Sequence, residues 1–295
     1  MREPVERGTE EVRLTHPERP LWPRDGIAKA DLAAYYEALS GPLLRALAGR
    51  PIAFERRPDG IDGESFFQQN LGRGAKPWMA SIETPTRDGR TGRRLIVDRP
   101  ETLRWLAQMN VLTIHMWSSR AGRLDEPDWM VFDLDPADGE GFEQTIEPAL
   151  ALQRALDERS LPSVPKTSGK RGLHVLVPLA PGATHDEAAG FAWALGETVA
   201  RSLPGVTLER AKAKRRGRLY LDTVQNGWGK TVVAPYSPRA VDGAPVSAPL
   251  RWSEVKPGLD PGGFTVRSMP ARLREAGDLF AAALEGGAKL PRIGP

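Results

Sequence analysis

Asp133 and Asp135 stand two positions apart near the end of Asp128-Trp129-Met130-Val131-Phe132-Asp133-Leu134-Asp135-Pro136. The apolar run ahead of them reads as a buried strand. Alternate side chains of a strand share a face, so both carboxylates point the same way from Cα atoms ~7 Å apart. Pro136 then stops the ladder and leaves the pair at a sheet end. Two such charges repel unless a cation lies between them. An all-oxygen donor set suits a hard ion such as Mg²⁺ or Mn²⁺. Acids before a proline also end strands with no further role, so the pair alone leaves both readings open.

Lys166-Thr167-Ser168-Gly169-Lys170-Arg171-Gly172-Leu173-His174 reads as a loop that leads into an apolar strand from Val175 to Leu179. Its glycines let backbone N–H groups approach phosphate oxygens, and its cations offset phosphate charge. The alternative is a plain basic turn, which has no need of His174 at the start of a strand. Another strand, Leu219-Tyr220-Leu221-Asp222, delivers an acid directly after the basic run Arg210 to Arg218. Such runs are usually solvated faces or polyanion patches. Asp222 is nonetheless a candidate third ligand beside Asp133 and Asp135. Two ions ~3.5–4 Å apart can activate an attacking hydroxyl and stabilise a departing pyrophosphate oxygen.

Other chemistries lack their residues. Gly229-Lys230-Thr231 is not a Walker loop, because Val224 stands where its first glycine belongs. There is no Gly-x-Ser-x-Gly elbow and no His-Glu-x-x-His helix, and His16, His115, His174 and His185 are scattered. The absence of cysteine excludes disulfides, thiolate zinc sites and thiol nucleophiles.

These residues need a scaffold. Apolar spacing predicts a helix over 29–48, broken or kinked at Gly41-Pro42, and strands over 51–56, 95–98, 111–117, 219–222 and 230–234. Further helices are expected over 101–108, 142–159 with a kink or split at Pro148, 186–202, and 271–284. On the 111–117 strand, His115 shares a face with Thr113 and Trp117. By itself it reads as a core histidine, and Phe66-Phe67 as core plugs. The mixture without strict alternation indicates an α+β fold. A chain of 295 residues with no long linker and no repeat is expected to form one domain. Residues 1–10 read as a loose tail with no apolar core for a signal peptide, and no run is long enough for a membrane helix. A cytoplasmic, nucleoid-associated protein is expected. The net charge of +3 is modest, and a pI near 9.2 fits a polyanionic partner where the cations cluster.

Taken in order, these segments resemble the polymerase domain of bacterial ATP-dependent ligase D, within the archaeo-eukaryotic primase superfamily. The resemblance rests on Asp133-Leu134-Asp135-Pro136, on Lys166 through His174, and on Asp222 through Gln225-Asn226 and Lys230-Thr231 to Ala234-Pro235-Tyr236-Ser237. Leu14-Thr15-His16-Pro17, Lys29-Ala30-Asp31-Leu32, Phe66-Phe67 and Leu250-Arg251-Trp252 extend it over nearly the whole chain.

The resemblance implies a primase-like catalytic fold, a central mixed or antiparallel sheet flanked by helices. It divides into an N-terminal part of about 1–100 that binds a DNA 5′-phosphate, a catalytic core of about 101–240 and a closing segment of about 241–295. The implied activity is template-directed nucleotidyl transfer with two Mn²⁺ or Mg²⁺ ions, favouring ribonucleotides, that fills short gaps or extends DNA ends in break repair. Carried over by position, Asp133, Asp135 and Asp222 hold metal. Ser168, Arg171, His174 and Arg239 bind the triphosphate with Gln225 and Lys230 near it, His115 lines the pocket, and Phe66 or Phe67 stacks on a base. His16, Arg19 and Lys29 make up the 5′-phosphate site, although His16 replaces a usual asparagine and Arg19 a common lysine. Partners implied are gapped or broken DNA with a 5′-phosphate, ribo- or deoxynucleoside triphosphates, Ku and a separate DNA ligase, with no membrane. Arg57-Pro58-Asp59-Gly60 lacks a ligase's nucleophilic lysine, so a stand-alone polymerase is expected. The alternative is a DNA-end-binding scaffold with weak or no catalysis.

Overall fold

The computed structural model describes residues 11–72, 74–86 and 89–291; the expected tail over 1–10 lies outside them. Helices and sheets mix without alternation, which is the α+β class expected. Among the described residues the strands form two large sheets and two two-stranded ribbons. The first runs in the order Thr231–Val233, Val111–Trp117, Pro51–Arg56, Thr91–Ile96, Ser81–Pro85, and Phe66–Gln68 pairs separately with Pro51–Arg56. The second runs Val164–Thr167, Leu173–Pro178, Trp129–Asp135, Leu219–Asp222, Val206–Thr207. Its last pair is parallel and its others antiparallel.

From Trp129 to Phe132 the acidic strand is buried on both faces, and its alternation decides which way the acids that follow point. Met130, Phe132 and Leu134 pack in a core with Leu152 of helix Ile146–Asp157 and Leu195 of helix His185–Ser202. Trp129 and Val131 face the other way, into a core shared with Leu112, Ile114 and Met116 of the first sheet. Asp133 and Asp135 continue that second face, so they are aimed at the gap between the sheets. Asn226 pins the strand beside them: its amide donates to Val131 O at 2.8 Å and accepts from Val131 N at 2.7 Å.

The 29–48 segment divides into Lys29–Ala38 and Ser40–Leu47, with Pro42 in the first turn of the second helix, where its missing N–H costs nothing. Pro148 is likewise tolerated in the first turn of Ile146–Asp157, after a 3₁₀ turn at Phe142–Thr145. The last helix is shorter than expected. It spans Met269–Ala276 and ends at Gly277, whose φ of 73° no helix continues, before a separate turn at Ala281–Ala283.

The start of the acidic strand is fixed by charge. Arg50, 1% exposed, donates to Asp128 Oδ2 at 2.8 Å, and Arg120 reaches the same oxygen at 2.6 Å. Asp128→Ala therefore strands a buried guanidinium and is expected to cost about 3 kcal/mol, read as a lower urea midpoint with an unchanged slope.

Candidate active site

Asp133 occupies the middle strand of the second sheet, opposite His174 on one neighbour and Asp222 on the other. Directly opposed antiparallel residues have Cα atoms ~4.5–5.5 Å apart and share a face, so the three side chains rise together. Asp135, two along, lies opposite Tyr220. A cavity of about 300 Å³ opens over Asp133 and Asp135, walled by His115, Thr231 and Val233 of the first sheet, by Ser168 to His174, and by Arg239.

The basic segment is a hairpin rather than the long loop expected. Lys166 and Thr167 end one strand, Leu173 and His174 begin the next, and only Ser168 to Gly172 turn. Ser168 closes the turn: its Oγ accepts from Gly172 N at 3.0 Å and Lys170 N at 3.2 Å. Two glycines are obligatory here. A Cβ on Gly172 would sit 2.5 Å from Leu134 O, and Gly169, at φ 72°, would meet Arg239 Cγ at 2.6 Å. Arg239 donates from Nη1 to Ser168 O at 2.6 Å, while its buried Nε has no partner. Arg171 stands at the mouth, half exposed, 3.5 Å from Asp138.

Beneath the acids runs a buried polar chain. Ser247 Oγ donates to Thr167 O at 2.7 Å and so accepts from Lys166 Nζ, also at 2.7 Å. Lys166 is fully buried and its Nζ lies 2.8 Å from His174 Nδ1. With Lys166 donating, His174 carries its proton on Nε2, which faces Asp133 Oδ1 at 3.2 Å. That contact is close but not an aligned hydrogen bond, so Asp133 Oδ1 is buried without one.

Electrostatics follow from this packing. Burial pushes the Asp133 carboxyl up, but His174, Lys166 and Arg239 more than offset it and hold its pKa below the ordinary value. Asp135 goes the other way, up to about 7, through burial and then the charges of Asp133 and Asp222. Burial lowers Lys166, His174 and Arg239. His115 falls to about 3, through burial and then the cations around it, so it stays neutral at physiological pH.

Asp222 is placed in register but engaged elsewhere. Its oxygens accept from Val224 N at 2.7 Å and Gln225 Nε2 at 3.0 Å. Among the described residues, no three histidine or acidic side chains are gathered closely enough to hold a metal as they stand. The donors nonetheless suit a hard cation, since a buried carboxylate oxygen of Asp133 has no aligned hydrogen bond. The Asp135 pKa is raised by burial and then by the charges of Asp133 and Asp222, which a cation would offset.

Phe66 and Phe67 are not core plugs. They are 42% and 52% exposed, and the Phe67 ring meets His115 edge-on at 5.3 Å. Neither Phe66 nor Phe67 is among the residues that line the cavity, and Lys230 lines a neighbouring cleft instead. His16, Arg19 and Lys29 come together in a separate hairpin. Arg19 N donates to His16 O at 3.1 Å, and Lys29 N to Arg19 O at 2.9 Å, where Lys29 opens its helix. Burial and then the nearby Arg19 charge lower the Lys29 pKa, and Arg19 donates to Pro58 O at 2.9 Å. Sequence reasoning left Lys166, Lys170 and Ser247 without roles of their own. The first two were visible as cations in the hairpin; Ser247 arrives from eighty residues further on and gave no local signal.

A gap that offers acids on one wall and a glycine-turned basic hairpin on another suits a triphosphate held beside a cation, and so a nucleotidyltransferase of primase-like fold. Known proteins narrow that class. Residues 28–280 match the family model of the LigD primase-polymerase domain, and the chain belongs to that family. The multifunctional non-homologous end joining protein LigD of Mycolicibacterium smegmatis is 35% identical over 277 residues, 92% of this chain and 36% of that protein. Its namesake from Pseudomonas aeruginosa is 35% identical over 273 residues, 90% of this chain and 32% of that one. The chain thus spans about a third of the length of these relatives. The polymerase domain from Mycobacterium tuberculosis ligase D, solved in complex with DNA, matches with a TM-score of 0.87 at 31% identity, over 95% of this chain and 100% of that one. Polymerase domains of this family are metal-dependent. Among the described residues, no helix is long and apolar enough to cross a membrane.

Proposed function

We propose that this chain is a template-directed polymerase that fills short gaps or extends DNA ends in bacterial break repair, favouring ribonucleotides. The observation that carries the reading is Asp133, its buried Oδ1 close to His174 but without an aligned hydrogen bond, set between His174 and Asp222 and facing the basic hairpin. Asp133 and Asp135 would hold two divalent ions, Mn²⁺ or Mg²⁺, with Asp222 joining them by giving up the Gln225 amide. When bound, the ions supply activation of the attacking 3′-hydroxyl and neutralisation at the departing pyrophosphate. Ser168, Arg171, His174 and Arg239 bind the triphosphate, the unpartnered Arg239 Nε being a free donor for it. Neutral His115 and the exposed Phe67 wall the base and sugar, with Phe66 beside them. His16, Arg19 and Lys29 receive the downstream 5′-phosphate at the helix start. The chain works as one domain, with DNA-end-binding, catalytic and closing parts in that order. Gapped DNA and nucleoside triphosphates are its substrates, and Ku and a DNA ligase activity its partners at the nucleoid.

A scaffold without catalysis fits less well. A carboxyl pushed up to about 7 by burial and then by two neighbouring acids is a cost that DNA holding does not require.

The raised Asp135 sets a pH dependence. Below about 7 the metal-free carboxyl keeps its proton, which an arriving cation must displace. Apparent Mn²⁺ affinity is therefore expected to fall as pH drops through 7, with proton release on binding, while Asp135→Asn removes that dependence together with most affinity. Calorimetry in buffers of different ionisation enthalpy reads both.

The function itself is tested by extension of a primer across a short gap bearing a downstream 5′-phosphate, with Mn²⁺ or Mg²⁺ and each ribo- and deoxynucleotide. Templated addition, lost in Asp133→Ala, is expected. Tight binding of the same DNA with no addition would overturn the polymerase reading in favour of the scaffold.

A further inference from the structure

A second cleft, of about 730 Å³, adjoins the catalytic cavity, and Gln225 and Thr231 line both. Its walls include Gln69, Asn70, Arg94, Trp117, Trp228 and Lys230, and none of its described lining residues is acidic. Trp228 is a large side chain 40% exposed, yet it is held fast. Its indole N–H donates to Asp125 at 3.0 Å, and its ring meets Trp117 edge-on at 5.0 Å. Gly229, at φ 70°, takes a left-handed backbone that the turn beside Trp117 requires. Arg94 lies over Trp117 and is tied to Thr84 and Gln69, and among the described residues the Lys230 ammonium has no hydrogen bond or ion pair.

A fixed, exposed indole in a cationic trough is the chemistry that takes an unpaired nucleic-acid strand: bases stack on the ring and phosphates meet the cations. Apolar partners are poorly served by such polar walls, and a free nucleotide already has the cavity next door. We infer that this cleft seats the single-stranded 3′ end of the strand being extended, with Trp228 as the platform for its base. This rests on the proposed polymerase reading. It places the strand's end where the shared Gln225–Thr231 wall leads to Asp133 and Asp135.

The test compares Trp228→Leu, which keeps an apolar packing volume on Trp117, with Trp228→Phe, which keeps an aromatic face. Binding of a labelled short oligothymidylate is measured by fluorescence anisotropy, alongside primer-extension kinetics. Trp228→Leu is expected to raise the oligothymidylate Kd and the primer KM about tenfold. Trp228→Phe should recover most of both, and the nucleotide KM should not move. A merely structural role for Trp228 predicts that both variants behave alike and that melting temperature falls instead. Wild-type oligothymidylate affinity in Trp228→Leu would overturn the inference, whether or not the protein polymerises. Weakened binding by Trp228→Leu, together with a wild-type protein that adds no nucleotide, would remove the polymerase reading and leave a single-strand site standing.

Discussion

Asp133→Ala is expected to lower the rate of nucleotide addition at least ~10³-fold while binding of gapped DNA changes little. Asp133 is singled out because it is the acid kept ionised by its surroundings. Burial alone would protonate it, and His174, Lys166 and Arg239 reverse that. Its Oδ1, without an aligned hydrogen bond, is the atom a cation would take up. Alanine also leaves buried Lys166 and Arg239 without that countercharge, so some loss of stability accompanies the loss of activity. Asp133→Asn separates the effects, because it keeps the volume and an acceptor but not the charge. Single-turnover primer extension at saturating nucleotide reads the rate, and anisotropy with a labelled gapped duplex reads DNA binding. Extension by the asparagine variant at even a tenth of the wild-type rate would rule out Asp133 as a metal ligand.

The second large effect belongs to a residue that touches no substrate. Lys166→Met removes the donor that holds His174 through Nδ1 and is anchored on Ser247. Methionine nearly fills the space, but it leaves buried His174 Nδ1 without its donor and takes a charge from beside Asp133, so some stability is lost as well. His174 is then free to change tautomer or turn, and Asp133 loses one of the charges that keep it ionised. Groups that orient a metal ligand in this way are worth about 10- to 100-fold in metal affinity or activity. The expected result is a loss of that size, largest at low Mn²⁺ and partly relieved by more Mn²⁺. Were Lys166 only a packing residue, the melting temperature would fall and the Mn²⁺ dependence would not move. Lys166→Arg, which keeps the charge but not the shape, is expected to rescue poorly.

Much of this could be seen in the chain before it was folded. The period-two alternation from Trp129 to Asp135 fixes that both acids share a face, and Pro136 that they stand at a strand's end. Gly169 and Gly172 marked a turn whose backbone needs them, and Pro42 marked the division of the first helix. Helix ends were less legible, as at Gly277, because an apolar pattern continues past a residue whose backbone stops the helix.

What only the tertiary structure decided is which elements meet. Register across strands set Asp133 between His174 and Asp222, and no local pattern encodes a pairing between residues almost ninety positions apart. The separation of two large sheets, and hence the gap between them, depends on where Thr231–Val233 docks, beside Val111–Trp117 rather than beside Leu219–Asp222. Ser247 reaches Lys166 only through that closure, and Trp228 becomes a cleft wall only because its turn lies against Trp117. Local periodicity specifies a strand and its faces, because neighbouring side chains must alternate. Partners are selected by the burial of those faces against one another, an energy that belongs to the pair and that neither strand carries alone.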